Sequence, residues 1–487
     1  MTSSETTSWN QVRAAFKKIW GYEEFRPPQG EIVHSLLEKR DALIVMPTGA
    51  GKSICFQLPA LLQTGLTLVI SPLVALMENQ VQELRDRHLP AALLHSELPS
   101  YQRQQTLQAL ARQQLRLLYL SPETLLSSAV WERLSHPQLK INGLILDEAH
   151  CLVQWGDTFR PAYRRLGTIR PALLNSKPPG TQIAIAAFTA TADPLAQQTI
   201  RAVLQLQQPE LFLINPYRKN LSLKVQTVWT PRGRRQRLLK FIQARSQQAG
   251  LVYVRTRRDS EELANWLGSL GYVTAAYHAG LSPEERRSIE ARWLKDEMRF
   301  VICTCAFGMG INKPNVRWII HFHAPFLLSE YVQEVGRAGR DEQPAEALTL
   351  ISEPTGWLNP EDQQRRQFFA EQLRSQYQTA QQLAPKLPVR GEVSAVSKQF
   401  REAGVALALL HSAGQLEWED PFHYVRHTSA KARSFSELSQ QQQQVQSQMT
   451  QYLMTRDCRW QFLLRAFGFT QAATGWQCGH CDRCLSR

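Results

Sequence analysis

Short apolar runs alternate with amphipathic stretches through the first part of the chain. From residue 41 to about residue 207, most apolar runs end at a segment that carries Ser, Thr, Pro, Gly or Asp. Such runs are typical of strands buried on both faces of a parallel sheet, whose carboxyl ends present functional loops. The predicted strands are Leu43–Val45, Leu66–Ile70, Leu115–Leu120, Leu144–Leu146 and Ile183–Phe188.

The same pattern starts again after a junction near residues 207–216. Helical segments such as Asp259–Leu270 separate the new apolar runs. The repetition predicts two α/β domains in tandem, each built on a parallel sheet. The predicted strands of the second domain are Leu251–Val254, Val273–Tyr277, Phe300–Thr304 and Trp318–Phe322.

The apolar runs stop after about residue 355. Pro360–Thr379 is polar and predicted to be helical, and Glu392–Leu410 is predicted to form two short helices. Gly414 is predicted to end the second of these helices, and Gln415–Val425 to form a hairpin. Helices followed by a small hairpin indicate a winged helix inserted before the C-terminal segment.

The chain is basic, with 56 Lys and Arg against 42 Asp and Glu and a formal net charge of +14. This balance indicates a polyanionic partner, although a basic surface that only serves solubility would look the same. The N-terminal sequence MTSSETTSWN lacks a secretory apolar core, and no unbroken apolar run approaches the roughly 18 residues of a membrane span. We therefore expect a cytoplasmic protein.

The sequence 43-LIVMPTGAGKS-53 joins an apolar strand to a glycine-containing loop and then to Lys-Ser at a helix start. Backbone N–H groups of such a loop hold phosphates. Lys52 is predicted to reach the β and γ phosphates, and Ser53 to bind Mg²⁺. Met46 stands where the motif usually has its first glycine, so a chance glycine turn is the alternative. The predicted nucleotide-binding residues of the loop are Pro47, Thr48, Gly49, Ala50, Gly51, Lys52 and Ser53.

A second apolar strand, in 144-LILDEAH-150, ends in two carboxylates. Asp147 is predicted to hold Mg²⁺, and Glu148 to polarise the water that attacks the γ phosphate. The alternative is a helix N-cap with acidic residues in the first turn. Lys52 lies ninety-five residues upstream, and this pairing of motifs favours the catalytic interpretation.

The second domain contains 333-QEVGRAGR-340. Arg337 and Arg340 are predicted to lie on one helix face, and an arginine at a domain cleft can stabilise charge on a transferred phosphoryl group. The alternative is a solvated basic helix, but Gly336 and Gly339 favour a close backbone approach. The predicted catalytic set is Lys52, Asp147, Glu148, Gln333, Arg337 and Arg340.

Cysteines crowd the C-terminus. Cys458 is followed after nineteen residues by Cys478, Cys481 and Cys484. Two overlapping C-x-x-C spacings predict four thiolates around a structural Zn²⁺, with free thiols, disulfides or an iron–sulfur cluster as alternatives. A cytoplasmic location disfavours disulfides. The remaining cysteines are predicted to be buried thiols: Cys55, Cys151, Cys303 and Cys305.

Taken in order, the motifs resemble the RecQ family of superfamily 2 helicases. The resemblance runs from about residue 20 to 342 and resumes from 452 to 485. The motifs that carry it are 22-YEEFRPPQ-29, 46-MPTGAGKS-53, 71-SPLVALMENQ-80, 147-DEAHCLVQWG-156, 188-FTATA-192, 277-YHAGL-281, 304-TCAFGMGINKPNVR-317, 333-QEVGRAGRD-341, 458-CRWQFLLRAFG-468 and 478-CGHCDRC-484.

The resemblance implies two RecA-like domains with ATP between them, moving 3′ to 5′ along single-stranded DNA. By the same likeness, Tyr22 would stack on adenine while Arg26 and Gln29 read its edge. Arg340 would be the arginine finger, with Arg337 nearby. The family's motifs place further roles on Thr189 and Thr191, which would link hydrolysis to domain movement, and on His278 and Thr304, which would lie on the DNA path.

An aromatic-rich loop follows the acidic pair. Trp155, Phe159, Arg160 and Tyr163 interleave aromatics with a cation, and bases stack on aromatic faces without sequence preference. Such a run is more often part of a core, but Gly156 and Pro161 favour a loop and the resemblance favours DNA contact. The predicted DNA-binding residues are Trp155, Phe159, Arg160, Thr189, His278 and Thr304.

Three departures from the family pattern concern strand separation. The aromatic loop has Asp157 and Thr158 where the family usually has His and then Asp. Roughly a hundred residues, including the predicted winged helix, separate the second motor domain from the cysteine cluster. The chain ends three residues after Cys484, so we expect neither the winged helix that often follows the zinc site nor the extra helical DNA-binding domain.

These observations predict an ATP-dependent DNA helicase of repair or recombination, with an RNA helicase and an annealing protein with a weak motor as alternatives. The expected fold is two tandem RecA-like domains (1–207 and 208–355), a helical and winged-helix insert (356–430) and an α-helical zinc-binding domain (431–487). ATP, Mg²⁺ and structural Zn²⁺ are the expected cofactors. Single-stranded and duplex DNA and a single-strand-binding protein are the expected partners, and the chain is expected to act as a monomer.

Overall fold

The fold is taken from a computed structural model that describes residues 8–154, 160–307, 311, 313–427 and 434–486. These residues group into two compact units. The first unit comprises residues 1–46, 50–214 and 376–435, and the second comprises residues 47–49, 215–375 and 436–487. Within the described ranges, no helix has the length and hydrophobicity needed to cross a lipid bilayer.

The first unit contains a seven-stranded parallel sheet with the order β3-β4-β2-β5-β6-β1-β7. Neighbouring residues of its strands point into two different apolar cores, one on each face. Both faces are therefore covered, which explains the unbroken apolar runs. The strands are β1 (Ala42–Val45), β2 (Leu66–Ile70), β3 (Ala91–Leu94), β4 (Leu117–Leu120), β5 (Ile141–Leu146), β6 (Ala184–Thr189) and β7 (Glu210–Leu213).

Two helices precede β1, and the others lie in the crossovers between the strands. In chain order, the helices are α1 (Trp9–Trp20), α2 (Gln29–Leu37), α3 (Lys52–Leu62), α4 (Val74–Asp86), α5 (Ser100–Ala111), α6 (Pro122–Leu125), α7 (Ser128–Leu134), α8 (Cys151–Gln154), α9 (Ile169–Leu174) and α10 (Pro194–Val203). A 3-10 helix at Pro161–Thr168 precedes α9.

The second unit contains a six-stranded parallel sheet with the order β10-β11-β9-β12-β13-β8. Apolar cores again lie on both of its faces. The strands are β8 (Leu221–Val228), β9 (Ala249–Tyr253), β10 (Ala276–Tyr277), β11 (Phe300–Cys303), β12 (Val316–His321) and β13 (Ala345–Ser352). The helices between them are α11 (Pro231–Gln243), α12 (Arg257–Ser269), α13 (Pro283–Leu294) and α14 (Leu328–Val335).

The polar segment after β13 is helical as predicted and forms α15 (Glu361–Leu383). The predicted winged helix follows, as β14 (Arg390–Glu392), α16 (Val393–Gln399), α17 (Ala403–Ser412), β15 (Leu416–Trp418) and β16 (His423–Arg426). Its antiparallel sheet has the order β14-β16-β15. The C-terminal segment is helical, with α18 (Phe435–Met454), α19 (Arg459–Ala466), α20 (Thr470–Ala473) and α21 (Asp482–Leu485).

The nine predicted strands are all present, with end shifts of a few residues, and the tandem parallel-sheet fold is confirmed. The prediction missed β3, β7, β8, β13 and β14. Cys305 is exposed, so its prediction as a buried thiol was wrong, whereas Cys55, Cys151 and Cys303 are buried. Cys305 lies just beyond the end of β11, outside the apolar strand that buries Cys303.

Candidate ATP, zinc and DNA sites

The predicted phosphate-binding loop lies between β1 and α3. Gly49 and Gly51 adopt left-handed backbone conformations, with φ of 84° and 78°, and α3 begins at Lys52. The positive φ favours glycine at position 51, and a Cβ there would also lie 2.4 Å from the Gln29 side-chain nitrogen and displace it. The Lys52 ammonium is buried and has no hydrogen-bond partner among the described residues. A buried ammonium without a partner fits a site that receives an anion such as a phosphate.

The predicted adenine-binding residues lie beside this loop. Gln29 is buried, and its side-chain amide donates a hydrogen bond to the Ala50 carbonyl over 3.0 Å and accepts one from the Arg26 backbone N–H over 3.0 Å. Tyr22 is 54% exposed and Arg26 is exposed. Gln29 is thus held at the loop, while Tyr22 and Arg26 remain available to a ligand.

The two carboxylates follow β5 within the first unit. Asp147 is buried, accepts a hydrogen bond from the Gln80 side-chain amide over 3.4 Å, and accepts another from the Glu148 backbone N–H over 3.0 Å. Burial and the neighbouring Glu148 carboxylate raise the pKa of Asp147 to about 6, against the opposing effect of Lys52. A desolvated carboxylate of this kind fits a cation ligand. Sequence reasoning did not assign Gln80, although it ends one of the family motifs.

Glu148 is connected to the loop after β6. Its backbone has a positive φ of 52°, a conformation that non-glycine residues rarely adopt. Its carboxylate lies 3.2 Å from His150 Nδ1, and the same nitrogen lies 3.3 Å from the Thr189 hydroxyl. The Thr189 hydroxyl in turn donates to the Thr191 carbonyl over 3.0 Å. A continuous polar chain therefore joins the predicted catalytic base to the two predicted coupling threonines.

The arginine pair of the second unit is not helical, so its predicted placement on one helix face was wrong. Helix α14 carries Gln333 but ends at Val335, because Gly336 caps it and a turn follows. Arg337 is buried within this turn, whereas Arg340 is partly exposed and donates a hydrogen bond to the Ile311 carbonyl over 3.1 Å.

The predicted DNA-path residues of the second unit follow the carboxyl ends of β10 and β11. His278 is buried, with Nε2 2.9 Å from the Glu261 carboxylate. Thr304 is nearly buried, and its hydroxyl accepts a hydrogen bond from the Ala306 N–H over 3.4 Å. In the first unit, Arg160 donates to the Glu123 carboxylate over 2.9 Å. Trp155 and Phe159 lie outside the described residues.

The four C-terminal cysteines converge as predicted. All their sulfur atoms lie within 4.8 Å of one another, and the closest separations are 3.5 Å between Cys481 and Cys484 and 3.8 Å between Cys478 and Cys484. Sulfurs placed tetrahedrally at the Zn–S distance of about 2.3 Å would lie about 3.8 Å apart. Backbone N–H groups also point at the sulfurs, including that of Cys478 at Cys458 over 3.3 Å. The cluster fits a closed structural Zn²⁺ site.

The zinc segment covers the edge strand β8 of the second unit. The Asp482 carboxylate accepts a hydrogen bond from the Val225 N–H over 3.0 Å, and the Trp460 indole donates to the Leu221 carbonyl over 3.0 Å. Arg459, which is fully buried, binds both Asp482 oxygens over 2.9 and 3.0 Å. These contacts satisfy backbone groups that an edge strand otherwise leaves open. Sequence reasoning missed Arg459 and Asp482.

The winged helix packs within the first unit. Helix α17, which takes the place of a recognition helix, is apolar and mostly buried, and Gly404 lies against Pro161. The tip of the β15–β16 hairpin is held as well: the Pro421 carbonyl accepts a hydrogen bond from Arg165 over 3.0 Å, and Phe422 packs edge-on against Trp131 at 5.3 Å between ring centroids. The surfaces with which such motifs usually contact a duplex are therefore engaged with protein.

Sequence comparison matches three protein families in the same order as the motifs. Residues 26–199 match the DEAD/DEAH box helicase family, residues 233–342 the helicase conserved C-terminal domain, and residues 423–485 the RecQ zinc-binding family. An ATP-dependent DNA helicase RecQ of Synechocystis sp. is 53% identical over 475 residues, covering 97% of this chain and 98% of that protein. The protein of the same name from Haemophilus influenzae is 38% identical over 72% of this chain and 56% of its own length.

Solved structures share the fold at low sequence identity. The DEAD-box helicase Mss116 bound to ssRNA and UDP-BeF has a TM-score of 0.60 at 18% identity, over 72% of this chain and 74% of that chain. The Mycobacterium smegmatis helicase Lhr bound to ssDNA and AMP-PNP has a TM-score of 0.57 at 19% identity, over 86% of this chain and 60% of that chain. These likenesses show a shared fold.

Proposed function

The chain belongs to the RecQ family of ATP-dependent DNA helicases, and we propose that it couples Mg²⁺-ATP hydrolysis to 3′–5′ movement along one DNA strand, unwinding duplexes in repair or recombination. The observation that carries the proposal is the juxtaposition, in one unit, of a buried Lys52 ammonium with no hydrogen-bond partner among the described residues and the desolvated Asp147 carboxylate with Glu148 beside it. An anionic substrate would neutralise the ammonium, and its counter-cation would neutralise the carboxylates.

In the proposed reaction, Lys52 and the N–H groups of residues 47–53 bind the phosphates. Asp147 and Ser53 would hold Mg²⁺, which neutralises charge on the phosphates. Glu148 orients the attacking water and accepts its proton. Tyr22, Arg26 and Gln29 hold the adenine.

The second domain supplies Gln333, Arg337 and Arg340, with Arg340 as the arginine finger that stabilises charge on the γ phosphate. The chain from Glu148 through His150 to Thr189 supports a coupling role for Thr189 and Thr191, since a shift at either end moves a hydrogen-bonded neighbour.

The proposed DNA path includes Trp155, Phe159, Arg160, His278 and Thr304. The partners are single-stranded and duplex DNA, with a single-strand-binding protein as a further partner, and the enzyme acts as a cytoplasmic monomer. The proposed domains are 1–207, 208–355, 356–430 and 431–487. The Zn²⁺ of the cysteine cluster has a structural role, because four thiolates leave no position for a substrate.

An ATPase measurement tests the proposed motor. Glu148→Gln should bind ATP yet lose hydrolysis, and Lys52→Ala should lose ATP affinity because it removes phosphate contacts. Glu132→Gln, an exposed carboxylate on α7, is the matched control and should hydrolyse ATP at the wild-type rate. Near-normal turnover by Glu148→Gln would show that another group activates the water.

A further inference from the structure

One stretch of the second unit is unusually cationic. Between Glu210 and Asp259 the chain has no acidic residue. The twelve cations of this stretch are Arg218, Lys219, Lys224, Arg232, Arg234, Arg235, Arg237, Lys240, Arg245, Arg255, Arg257 and Arg258. A local excess of this size creates a positive field that neighbouring carboxylates within the segment do not offset.

Some of these cations have partners inside the fold. Arg234 is fully buried and donates hydrogen bonds to Ser352 over 2.8 Å and to Asp362 over 3.0 Å. Arg255 is buried against the Glu334 carboxylate, over 2.8 Å. These side chains serve the structure and contribute little to an external surface.

Helix α11 presents four of the twelve cations to solvent. Arg232, Arg235, Arg237 and Lys240 are exposed, and none forms an ion pair with a carboxylate among the residues described. Arg235 lies over the Trp266 ring, 5.6 Å from its centroid. The exposed side of α11 is therefore a basic surface with free charges.

Two exposed tryptophans accompany this surface. Trp229 is 62% exposed and lies directly between the end of β8 and the start of α11. Trp357 is 86% exposed and lies in the loop after β13, the strand that pairs with β8. The Glu353 carboxylate fixes that loop by accepting N–H hydrogen bonds from Thr355 over 2.7 Å and Leu358 over 2.9 Å.

The two tryptophans lie at the carboxyl end of the sheet, just after the last residues of two neighbouring strands. The last residues of the paired strands, Val228 and Ser352, are register partners, and Arg234 of α11 reaches the Ser352 hydroxyl. Nearby carboxylates are already engaged: Glu353 with its own loop and Asp362 with Arg234. Cations beside exposed aromatic faces are the combination that binds single-stranded nucleic acid without sequence preference.

The proposed DNA path lies at this same carboxyl end of the sheet. Because all six strands are parallel, the loops after β10 and β11, with His278 and Thr304, lie at the same carboxyl edge as Trp229. Four strand spacings of about 4.8 Å separate β11 from β8, so the two positions are roughly 19 Å apart along the edge. A strand that leaves the first position can reach the second within about six nucleotides at 3.4 Å each.

We propose that Trp229, Trp357 and the exposed cations of α11 form a second binding site for single-stranded DNA, the "β8-edge site". Bases stack on the two indoles, and Arg232, Arg235, Arg237 and Lys240 neutralise the phosphates. The β8-edge site gives the second unit additional contacts with a strand that already occupies the proposed DNA path. The proposal therefore rests on the proposed function.

The test is binding of labelled oligothymidylates to the full-length chain, with strands of about 4 nucleotides, which are too short to span both positions, and of about 25 nucleotides. The double variant Trp229→Ala/Trp357→Ala should bind the long strand at least fivefold more weakly, because each stacked base is lost, and the short strand less than twofold more weakly. Arg232→Gln/Arg235→Gln should reduce the slope of log affinity against log salt by about 1 to 2 for the long strand.

Matched controls lie away from this edge. Leu270→Ala removes an exposed apolar side chain just beyond the C-terminus of α12, and Arg112→Gln removes an exposed cation just beyond α5 in the first unit. Both should bind both strands as the wild type does. Thermal unfolding of every variant should match the wild type, since the substituted side chains are exposed.

Equal losses on short and long strands, or no loss on either, would overturn the β8-edge site. The double tryptophan variant could instead bind both DNA strands normally but lose affinity for an acidic, apolar peptide that the wild type binds. That result would assign the surface to a protein partner and overturn the proposal. Failure of the proposed function is distinguishable, because the wild-type chain would then bind neither strand and show no DNA-stimulated ATPase.

Discussion

Replacement of Arg459 by methionine tests whether a buried ion pair inside the zinc segment positions Asp482 against β8. The Arg459 guanidinium binds Asp482 with two hydrogen bonds and also donates to the Tyr452 carbonyl over 2.6 Å. Methionine fills similar space but offers no donor. Among the described residues, Asp482 would retain only its side-chain contact with the Val225 N–H, and the Tyr452 carbonyl would remain buried.

The magnitude follows from burial. Removing one partner of a buried ion pair costs about 3–5 kcal/mol, and the partial exposure of Asp482 favours the lower end, about 3 kcal/mol. For a unit of this size, 1 kcal/mol shifts the melting temperature by about 2–4 °C, so a decrease of about 10 °C is expected. Arg459→Lys should fall between methionine and wild type, because lysine keeps the charge and loses the two-pronged geometry.

The assay is thermal unfolding of the full chain, combined with elemental analysis of zinc per chain. Arg465→Met is the matched control on the same helix, because Arg465 is 47% exposed and lies 3.7 Å from Asp457. An exposed pair of this kind contributes at most about 1 kcal/mol. If Arg459→Met has the melting temperature of the wild type and keeps its zinc, the buried pair does not stabilise the zinc segment. Iron in place of zinc would refute the assignment of the metal.

Two further predictions concern the motor and the winged helix. Arg340→Ala should lower turnover by about 10³-fold with little change in ATP affinity, and a loss below tenfold would exclude it as the arginine finger. Burial and the nearby Arg164 lower the pKa of His411 on α17 to about 4. The unfolded chain, in which the histidine has its ordinary pKa of about 6.5, binds the proton more tightly than the folded chain does. The free energy of unfolding is therefore highest above pH 6.5 and should fall by up to about 3 kcal/mol as the pH drops to 4. His411→Asn should reduce this acid sensitivity in urea unfolding, and an unchanged pH profile would contradict the assignment.

Much of the motor could be predicted from sequence because its strands are buried on both faces. β2 (LTLVI) reads as a continuous apolar run, and the loops at strand ends carry recognisable phosphate and carboxylate motifs. β8 (LSLKVQTV) was missed because it is an edge strand with alternating exposure, so it lacks such a run. Its cover comes from residues more than two hundred positions later, such as Asp482.

Site residues could be predicted from sequence where their spacing along the chain determines the chemistry. They could not be predicted where a backbone turn or a partner distant in sequence determines the position of the side chain. The cysteine spacing was sufficient to predict the metal cluster. The spacing of Arg337 and Arg340 suggested a helix face, but Gly336 ends α14 first. The Gln80 and Arg459 contacts depend on long-range packing that no local pattern encodes.

The most direct test of ATP-driven unwinding by this protein is strand separation on duplexes with defined tails. Purified full-length chain is mixed with DNA and RNA duplexes that carry a 3′ or a 5′ single-stranded tail, with and without Mg²⁺-ATP, beside Glu148→Gln. We predict unwinding of the 3′-tailed DNA duplex by the wild type only with Mg²⁺-ATP, and none by Glu148→Gln. Unwinding by Glu148→Gln at the wild-type rate, preference for the RNA duplex, or separation without ATP would contradict it.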